Sequence, residues 1–417
     1  MSKTYHIITY GCDANRADSE RIAGLLENCG YKETKNKEKT NLLIFNTCSV
    51  RQKAEDRVFG RNKEMKSLKE KKPDLKIALA GCMNHYDKKT LKDRLPYIDV
   101  FLPMKELSLL PQKLGIKKEL FSQIKPSYQS KFRAYVLISY GCNNFCSYCV
   151  VPFARGKERS RPEKEIINEV CWLVNNGYKE IWLLGQNVNS YKDIPFAELL
   201  LKINEIPGKF WIRFASPHPK DFSDKLIQAM KKANKFPKYV NLPVQSGNDK
   251  ILKKMNRPYV ISQYKSLVKK IRKAMPEIAL STDVIVGFPG ETKKQFQDTA
   301  KLFKEMKFDM AFISEYSPRP KTAAAIAFKD NVPNKEKRVR KNILTDILRK
   351  TALEKNKKLI GKTIEVLIDK KNNGRIFGKT EGNKNIEIIE NKKIKIGEFD
   401  KIKIIEANSW HLKGEPI

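Results

Sequence analysis

Three short apolar segments near the start of the chain each lead into a cysteine. They are residues 6–10 before Cys12, 42–45 before Cys48, and 76–80 before Cys82. Helical patterns separate these segments, and such alternation indicates a parallel sheet with right-handed crossovers. Ligands collect at the carboxyl ends of parallel strands, so we expect the three thiols to meet at one edge. Any one of them is compatible with an ordinary buried side chain. Three in the same position predict a cluster with one open iron.

The helices between these strands can be placed approximately from their caps and breaks. The first is expected to begin near residues 18–19 and to end at Gly30. One long charged helix is expected over residues 51–71. Cys29 and Cys171 do not follow a strand, so we interpret both as packing residues.

A second group of three cysteines lies in one loop, Cys142-Asn143-Asn144-Phe145-Cys146-Ser147-Tyr148-Cys149. This spacing lets each sulfur turn towards one metal centre, and a cubane iron–sulfur cluster normally takes four thiolates. Three thiolates leave one iron open to a ligand that is not protein, and Tyr148 offers an aromatic ring beside it. The alternative is a structural zinc site. However, the next Cys or His residues, Cys171 and His218, do not follow at zinc-finger distance.

Charge and hydropathy narrow the class of protein further. The 417 residues carry 83 basic and 47 acidic side chains, a net charge of +36 that favours a polyanion, first of all nucleic acid. A compositional bias towards lysine and an anionic membrane lipid are weaker explanations. Neither a membrane-spanning apolar run nor a signal-peptide segment is visible, so we expect a cytoplasmic protein without a membrane partner. In that reducing compartment the eight cysteines are more readily ligands than disulfides.

Six apolar segments beyond a linker at residues 113–132 predict a second set of parallel strands. They are residues 134–138, 180–184, 210–214, 239–242, 278–286 and 310–314. Active sites of parallel barrels lie at the carboxyl ends of the strands. Gln186, Gln245 and Gly287 follow the second, fourth and fifth segments and are therefore candidate site residues. For the two glutamines, polar caps of the strand ends are the alternative.

The last part of the chain combines a basic helix with a small all-β region. Residues 334–360 carry Val339, Ile343 and Ile347 at helical spacing, which indicates a docking helix, a basic rim for RNA, or both. Residues 361–417 contain four short alternating strands separated by turn signals and predict a small all-β barrel. Its candidates for phosphate contact and base stacking are Arg375, Lys379, Lys384, Lys403, Phe377 and Trp410.

Motifs along the whole chain resemble those of one enzyme family. The three-cysteine loop is similar to the signature of the radical S-adenosylmethionine (SAM) superfamily, and the all-β region is similar to the TRAM domain of RNA-modifying enzymes. The other motifs resemble the MiaB branch of the methylthiotransferases. They are Asn46-Thr47-Cys48-Ser49-Val50-Arg51, Cys149-Val150-Val151-Pro152-Phe153-Ala154-Arg155-Gly156, and the motifs at residues 184–191, 216–221, 242–247 and 287–292.

The resemblance implies a mixed α/β fold with three domains. These are an N-terminal parallel α/β methylthiotransferase domain at residues 1–115, a central partial (β/α)6 radical SAM barrel at 132–350, and a C-terminal TRAM-like RNA-binding barrel at 361–417. It also implies two [4Fe-4S] clusters and SAM as cofactors.

The resemblance assigns ten residues to these cofactors. The reducible cluster, whose open iron binds SAM, would be held by Cys142, Cys146 and Cys149. The auxiliary cluster, which carries or supplies the sulfur, would be held by Cys12, Cys48 and Cys82. The residues next to SAM would be Tyr148, Gln186, Gln245 and Gly287.

The implied reaction is methylthiolation of carbon 2 of N(6)-isopentenyladenosine at tRNA position 37, next to the anticodon. No side chain can deprotonate that carbon, so a cofactor radical must remove its hydrogen, and the base must leave its stack. The expected partners are the anticodon stem-loop of tRNA and an electron donor such as flavodoxin or ferredoxin. The alternative substrates are threonylcarbamoyladenosine in tRNA and a ribosomal-protein aspartate. A non-catalytic, zinc-stapled RNA-binding protein is the alternative from another class.

Two residues depart from the family pattern, and three arginines are candidate anion ligands. Asp13 replaces a more usual Gln beside an expected ligand, and Lys321 stands where Gly is common in the family. Arg155, Arg159 and Arg161 follow the cysteine loop. Their guanidinium groups suit the SAM carboxylate or tRNA phosphates, and a solvated basic stretch is the alternative.

Overall fold

The computed structural model describes residues 3–116, 125–389 and 394–417. The chain divides into two compact units. The first, called the cysteine unit, comprises Met1–Gln129, Ser139–Arg159 and Arg319–Thr322. The second, called the barrel unit, comprises Ser130–Ile138, Ser160–Pro318 and Ala323–Ile417. Both groups of three cysteines therefore belong to the cysteine unit. The linker expected at residues 113–132 lies partly outside the described residues.

A five-stranded parallel sheet forms the frame of the cysteine unit, in the order β2-β1-β3-β4-β5. Its strands are β1 (Thr4–Tyr10), β2 (Lys32–Glu33), β3 (Leu42–Thr47), β4 (Lys76–Gly81) and β5 (Val100–Leu102). The three predicted strands are confirmed as the central ones. The edge strands β2 and β5 were missed because two and three residues are too few to carry an apolar pattern. The register pairs Tyr10 with Thr47 and Thr47 with Gly81, so the central strands end level.

Helices cover both faces of this sheet. They are α1 (Asp13–Asn28), α2 (Gln52–Phe59), α3 (Asn62–Lys71), α4 (Lys88–Arg94) and α5 (Leu110–Lys113), with 3-10 segments at Cys82–His85 and Met104–Leu109. A further helix, α6 (Val151–Arg155), follows the second cysteine loop and packs on the 3-10 segment Cys82–His85. Alternate residues of β3 enter two apolar cores: Leu42 and Ile44 pack with α1, and Leu43 and Phe45 pack with α2 and α3.

Two predicted helix boundaries are wrong. α1 begins at Asp13, with Cys12 as its N-cap, and not near residues 18–19. Its first turns were hidden because they carry the polar residues Asn15 and Asp18, which are buried. The single helix expected over residues 51–71 is the pair α2 and α3. The chain breaks at Gly60, and glycine is a poor helix former.

All six strands predicted for the barrel unit are present. They are β6 (Arg133–Leu137), β9 (Glu180–Leu184), β10 (Trp211–Phe214), β11 (Tyr239–Asn241), β12 (Ala279–Val286) and β13 (Met310–Glu315); the short strands β7 (Ser139–Tyr140) and β8 (Arg159–Ser160) follow β6 in the chain. The six strands form two parallel sheets, β10-β9-β6 and β11-β12-β13. The segment between α9 (Asp224–Lys232) and β11 contacts the first sheet, where the Ile212 N–H of β10 donates to the Lys235 carbonyl at 2.9 Å.

Helices alternate with these strands, as in a partial barrel. They are α7 (Glu163–Asn175), α8 (Phe196–Glu205), α9 (Asp224–Lys232), α10 (Asp249–Lys254), α11 (Ile261–Ala274), α12 (Lys293–Met306), α13 (Ala323–Ala327) and α14 (Asn334–Lys357), with 3-10 segments at Val188–Ser190 and Pro219–Asp221. Within the part of the chain that the structure describes, no helix has both the length and the apolar character needed to cross a membrane.

The packing face predicted for α14 is wrong. Val339 and Ile343 are 45% and 42% exposed, whereas Lys337 and Arg340 are buried. Lys337 Nζ pairs with Asp330 at 2.6 Å, and Arg340 Nη1 pairs with buried Glu291 at 2.7 Å. Because each buried cation has a carboxylate partner, burying these charges is tolerated and the apolar pattern does not decide the face.

A closed five-stranded barrel ends the barrel unit, with the order β14-β15-β16-β18-β17. Its strands are β14 (Thr363–Asn372), β15 (Arg375–Thr380), β16 (Asn385–Ile388), β17 (Phe399–Ala407) and β18 (His411–Pro416). Four strands were predicted, and β18 was missed. The barrel core is aliphatic, with Val366, Ile376, Ile386, Ile402 and Leu412 among its members.

Candidate functional site

The level ends of β1, β3 and β4 bring three cysteines to one edge of the sheet. Cys12 caps α1, Cys48 follows β3, and Cys82 opens the 3-10 segment after β4. The thiols of Cys12 and Cys48 share a hydrogen bond, which lowers the pKa of Cys12 to about 6 and raises the pKa of Cys48. Burial raises the pKa of Cys82, which also interacts electrostatically with Cys12. The three thiols are therefore close neighbours, as the strand pattern predicted.

A buried polar layer lies beneath these cysteines. The Asn15 amide donates to Asn46 Oδ1 at 3.1 Å, and the Asn46 amide donates to Ser19 Oγ at 2.8 Å. The glycines that precede two of the cysteines make room for this layer. A Cβ on Gly11 would lie 2.3 Å from Asn15 Oδ1, and one on Gly81 would lie 2.4 Å from Asn46 Oδ1. Neither Asn15 nor Asn46 was predicted from the sequence as a site residue, although the repeated Gly-Cys pair was a visible signal.

Arg155 lies in this site and is not free to bind the SAM carboxylate or phosphate. Its Nη2 is 2.6 Å from Asp18 Oδ2, and the two side chains are 6% and 1% exposed. The interpretation of Arg161 as an anion ligand is also wrong, because it pairs with Glu169 at 2.7 Å and donates to the Leu137 carbonyl. Of the three arginines, Arg159 alone is exposed.

The second cysteine group lies in a loop that backbone hydrogen bonds close. The Cys142 N–H donates to the Gly156 carbonyl at 3.1 Å, and the Cys149 N–H donates to the Cys146 carbonyl at 2.9 Å. Gly141 has a φ of +70°, and a Cβ there would lie 2.2 Å from the Lys157 carbonyl oxygen, so this approach requires glycine. Cys142 is buried, whereas Cys146, Tyr148 and Cys149 are half-buried.

Each cysteine group offers the donors that an iron–sulfur cluster requires. Across residues 3–116, 125–389 and 394–417, no three His, Cys, Asp or Glu side chains converge closely enough to hold one metal ion. A cubane does not require such convergence, because each thiolate binds a different iron. The three soft sulfur donors of each group fit such a cluster. The assignment of the six cysteines as ligands stays a prediction.

Gln186, Gln245 and Gly287 lie where the sequence placed them, after β9, β11 and β12. Gln245 has a left-handed φ of +71° and is fixed by backbone hydrogen bonds to Asp283 and Ile285. Such strain in a non-glycine residue is typical of functional sites. Gly287 is buried, and its N–H donates to Glu291 Oε2 at 2.7 Å. Contact of these residues with SAM stays a prediction.

Two of the four cations predicted to contact phosphate in the C-terminal barrel are exposed, namely Arg375 and Lys403. Lys384 is instead paired with Asp309 at 3.0 Å, with the two side chains 15% and 10% exposed. Lys379 is half-buried, and burial lowers its pKa. Neither lysine is presented to solvent as an RNA ligand, because the β15–β16 turn packs against the parallel strands: Arg213 donates to the carbonyls of residues 380 and 381. Trp410 is exposed and Phe377 is half-buried.

Three family models match successive parts of this chain. A family model for the radical SAM superfamily matches residues 136–303, one for the uncharacterized protein family UPF0004 matches residues 4–103, and one for the TRAM domain matches residues 357–417. Among solved structures, the radical SAM methyltransferase TsrM from Kitasatospora setae has a TM-score of 0.59 at 15% identity, over 78% of this chain and 77% of that one. The cobalamin-dependent SAM radical enzyme OxsB has a TM-score of 0.52 at 10% identity, over 83% of this chain and 56% of that one. At these identities the likeness shows the fold alone.

Curated relatives match the chain over its whole length. Three of them are named tRNA-2-methylthio-N(6)-dimethylallyladenosine synthase. The relative from Caldicellulosiruptor saccharolyticus is 44% identical over 100% of this chain and 93% of its own. The relative from Thermoanaerobacter sp. (strain X514) is 42% identical over 99% and 92%. The relative from Clostridium botulinum (strain Hall) is 43% identical over 99% and 97%. The family that the motifs resemble is thereby confirmed, and this chain belongs to the tRNA-2-methylthio-N(6)-dimethylallyladenosine synthases, within the radical SAM methylthiotransferases.

Proposed function

We propose that this chain methylthiolates carbon 2 of N(6)-dimethylallyladenosine in tRNA, at the position next to the anticodon. The observation that carries the proposal is the identity of 42–44% to synthases of that name along the whole chain. The structure supports it through the three strand-end thiols of Cys12, Cys48 and Cys82, which form a second sulfur-rich site in the same unit as the radical SAM loop.

Two [4Fe-4S] clusters and SAM, when bound, supply the radical and the sulfur chemistry that amino acid side chains cannot perform. Cys142, Cys146 and Cys149 would hold the cluster that binds SAM. Cys12, Cys48 and Cys82 would hold the auxiliary cluster. Three thiols in each set would leave one iron of each cluster open to a ligand that is not protein.

Binding of the RNA would fall to the charge of the chain and to its C-terminal barrel. A net charge of +36 attracts a polyanion from a distance. Arg375, Lys403 and Trp410 are exposed on the barrel and offer two cations and a stacking surface. The target base must be extruded from its stack to expose carbon 2. We propose that the enzyme acts in the cytoplasm, with reduction by a protein such as flavodoxin or ferredoxin.

Nucleoside mass spectrometry tests the substrate. Total tRNA from a strain that lacks this gene should lose the methylthiolated isopentenyl nucleoside and accumulate its unthiolated precursor. The native chain should restore the product, and Cys48→Ala should not. Cys171→Ala, a half-buried cysteine in α7, is the matched control and should restore it. Accumulation of the threonylcarbamoyl precursor instead would assign the chain to another substrate.

Metal analysis after anaerobic purification tests the cofactors. We expect about eight irons per chain with matching sulfide, as two cubane clusters require. Zinc without charge-transfer absorbance would overturn the radical mechanism and leave an RNA-binding protein with structural metal.

A further inference from the structure

Arg155 belongs structurally to the Cys12, Cys48 and Cys82 site, although the sequence places it after the radical SAM loop. It is the last residue of α6, which packs on the 3-10 segment that begins with Cys82. Its guanidinium is paired with Asp18 on α1, one and a half turns after the Cys12 cap. The buried guanidinium of Arg155 is therefore fixed beside the thiols by a carboxylate 137 positions away in sequence.

The guanidinium of Arg155 faces the Asp18 carboxylate on one side and the cysteine thiols on the other. Asp18 neutralises one side of the guanidinium through Oδ2, whereas Asp18 Oδ1 is buried and has no hydrogen-bond partner among the described residues. The guanidinium also lies beside the thiols, since α6 packs on the 3-10 segment that begins with Cys82 and Arg155 hydrogen bonds with the Cys82 side chain. Three thiolates and a cluster would thus lie beside a buried cation, in a region where water screens little.

We propose that Arg155 is a positioning residue that raises the reduction potential of the auxiliary cluster, with Asp18 opposing it. Reduction adds one electron to the cluster and neither forms nor breaks a bond, so the reduced state differs by one negative charge. A buried cation stabilises that state, and a buried carboxylate destabilises it. Outer groups of this kind are a recognised means of setting cluster potentials. The inference rests on the proposed function, because it assumes that Cys12, Cys48 and Cys82 hold the cluster.

Opposite signs for the two partners provide the test. The full chain with Cys142, Cys146 and Cys149 all changed to Ala should retain one cluster, which can be titrated with dithionite and followed by electron paramagnetic resonance. In this background, Arg155→Gln should lower the ratio of reduced to oxidised cluster at a fixed potential by roughly tenfold, equivalent to about 59 mV for one electron. Asp18→Asn should move the potential upwards.

Further variants separate the effect of charge from a loss of structure. Arg159→Gln removes the same charge from an exposed position four residues away and should leave the potential unchanged. Arg155→Lys keeps the charge and should restore most of the potential. Asp18→Asn combined with Arg155→Gln removes both charges and should fall between the two single variants. Arg155→Gln leaves a buried carboxylate unpaired and can fail to fold. In that case the double variant is compared with Asp18→Asn, and its potential should be the lower of the two.

Iron content distinguishes failure of this inference from failure of the proposed function. About four irons per chain in the triple-alanine background confirm the auxiliary cluster. If that cluster is present and Arg155→Gln and Asp18→Asn shift its potential in the same direction, or not at all, the role of Arg155 is refuted and the proposed function stands. If the background binds no iron, the ligand assignment itself is wrong and the inference falls with it.

Discussion

Gly287→Ala tests whether packing against Lys337 requires glycine at the end of β12. Its φ of +69° lies in the left-handed region. A Cβ at this position would lie 2.3 Å from Cγ of Lys337. Lys337 has little freedom to move away, because its Nζ is held by Asp330 at 2.6 and 2.8 Å and by the Tyr316 carbonyl at 3.1 Å. Replacement of Gly287 therefore disturbs the ion pair between Lys337 and Asp330 even when no SAM is bound.

Gly287→Ala should incur two separate energetic costs. A left-handed backbone costs a non-glycine residue roughly 1–2 kcal/mol. Forcing a methyl group into packed surroundings costs typically about 1–3 kcal/mol more. We expect the free energy of unfolding to fall by about 2–5 kcal/mol. Gly177→Ala is the matched control, because its φ is +87° and its Cβ would meet no atom within 4 Å. It should cost only about 1–2 kcal/mol.

Urea unfolding followed by tryptophan fluorescence measures this difference. All four tryptophans belong to the barrel unit, so the signal reports on the unit that contains both glycines. If Gly287→Ala and Gly177→Ala lower the free energy of unfolding equally, the contact with Lys337 has no energetic weight. Crowding by Lys337 would then not be the reason for glycine at this position.

Three further predictions concern the sulfur site, the pH dependence and the RNA surface. Cys48→Ala should still cleave SAM to 5′-deoxyadenosine while it thiolates no tRNA, and chromatography of both products from one reaction checks this. Burial lowers the pKa of His218 to about 2, so the unfolded chain alone takes up its proton below about pH 6.5. Stability should therefore fall by up to about 1.4 kcal/mol per pH unit from this group as pH decreases, and His218→Gln should remove that slope in urea titrations. For tRNA binding, Lys403→Ala should reduce the slope of log binding constant against log salt concentration by about one, without a loss of stability. Lys384→Ala should lower stability instead, because it removes one of the two lysines that neutralise the buried carboxylate of Asp309, the other being Lys355 at 2.6 Å.

The apolar pattern of the sequence was sufficient to predict the central strands of both units. The central strands of both units have apolar runs long enough to predict, and each cysteine of the first sheet follows such a run within two or three residues. Placing Cys12, Cys48 and Cys82 at one edge required only that parallel strands end on the same side. The short edge strands Lys32–Glu33 and Val100–Leu102 lack such runs, so they were not predictable in this way.

The electrostatic partners could not be predicted because they are distant in sequence. Arg155 and Asp18 have no local feature that marks them as a pair, and a cation next to an iron–sulfur loop suggests anion binding. The face of α14 was wrong because Lys337 and Arg340 are buried with carboxylate partners that lie outside the helix, Asp330 and Glu291, against the apolar pattern of the helix itself. In both cases a compensated charge overrides hydrophobic periodicity.

Lys321 illustrates how a departure from the family pattern can be tolerated. Its φ of +69° explains why glycine is common at this position, since a left-handed conformation costs other residues roughly 1–2 kcal/mol. The lysine regains part of that cost, because its Nζ donates to the His85 carbonyl at 2.7 Å, and a hydrogen bond contributes about 0.5–1.5 kcal/mol. The two effects nearly cancel. This contact also joins the segment Arg319–Thr322 to the 3-10 helix that starts at Cys82, within the cysteine unit.

Asp13, by contrast, is half-exposed and lies 4.0 Å from Arg16 on the surface of α1. Solvent therefore screens most of its charge from the thiol of Cys12 beside it. The two departures leave the cysteine site intact for different reasons, because Lys321 is offset by a new hydrogen bond and Asp13 by water.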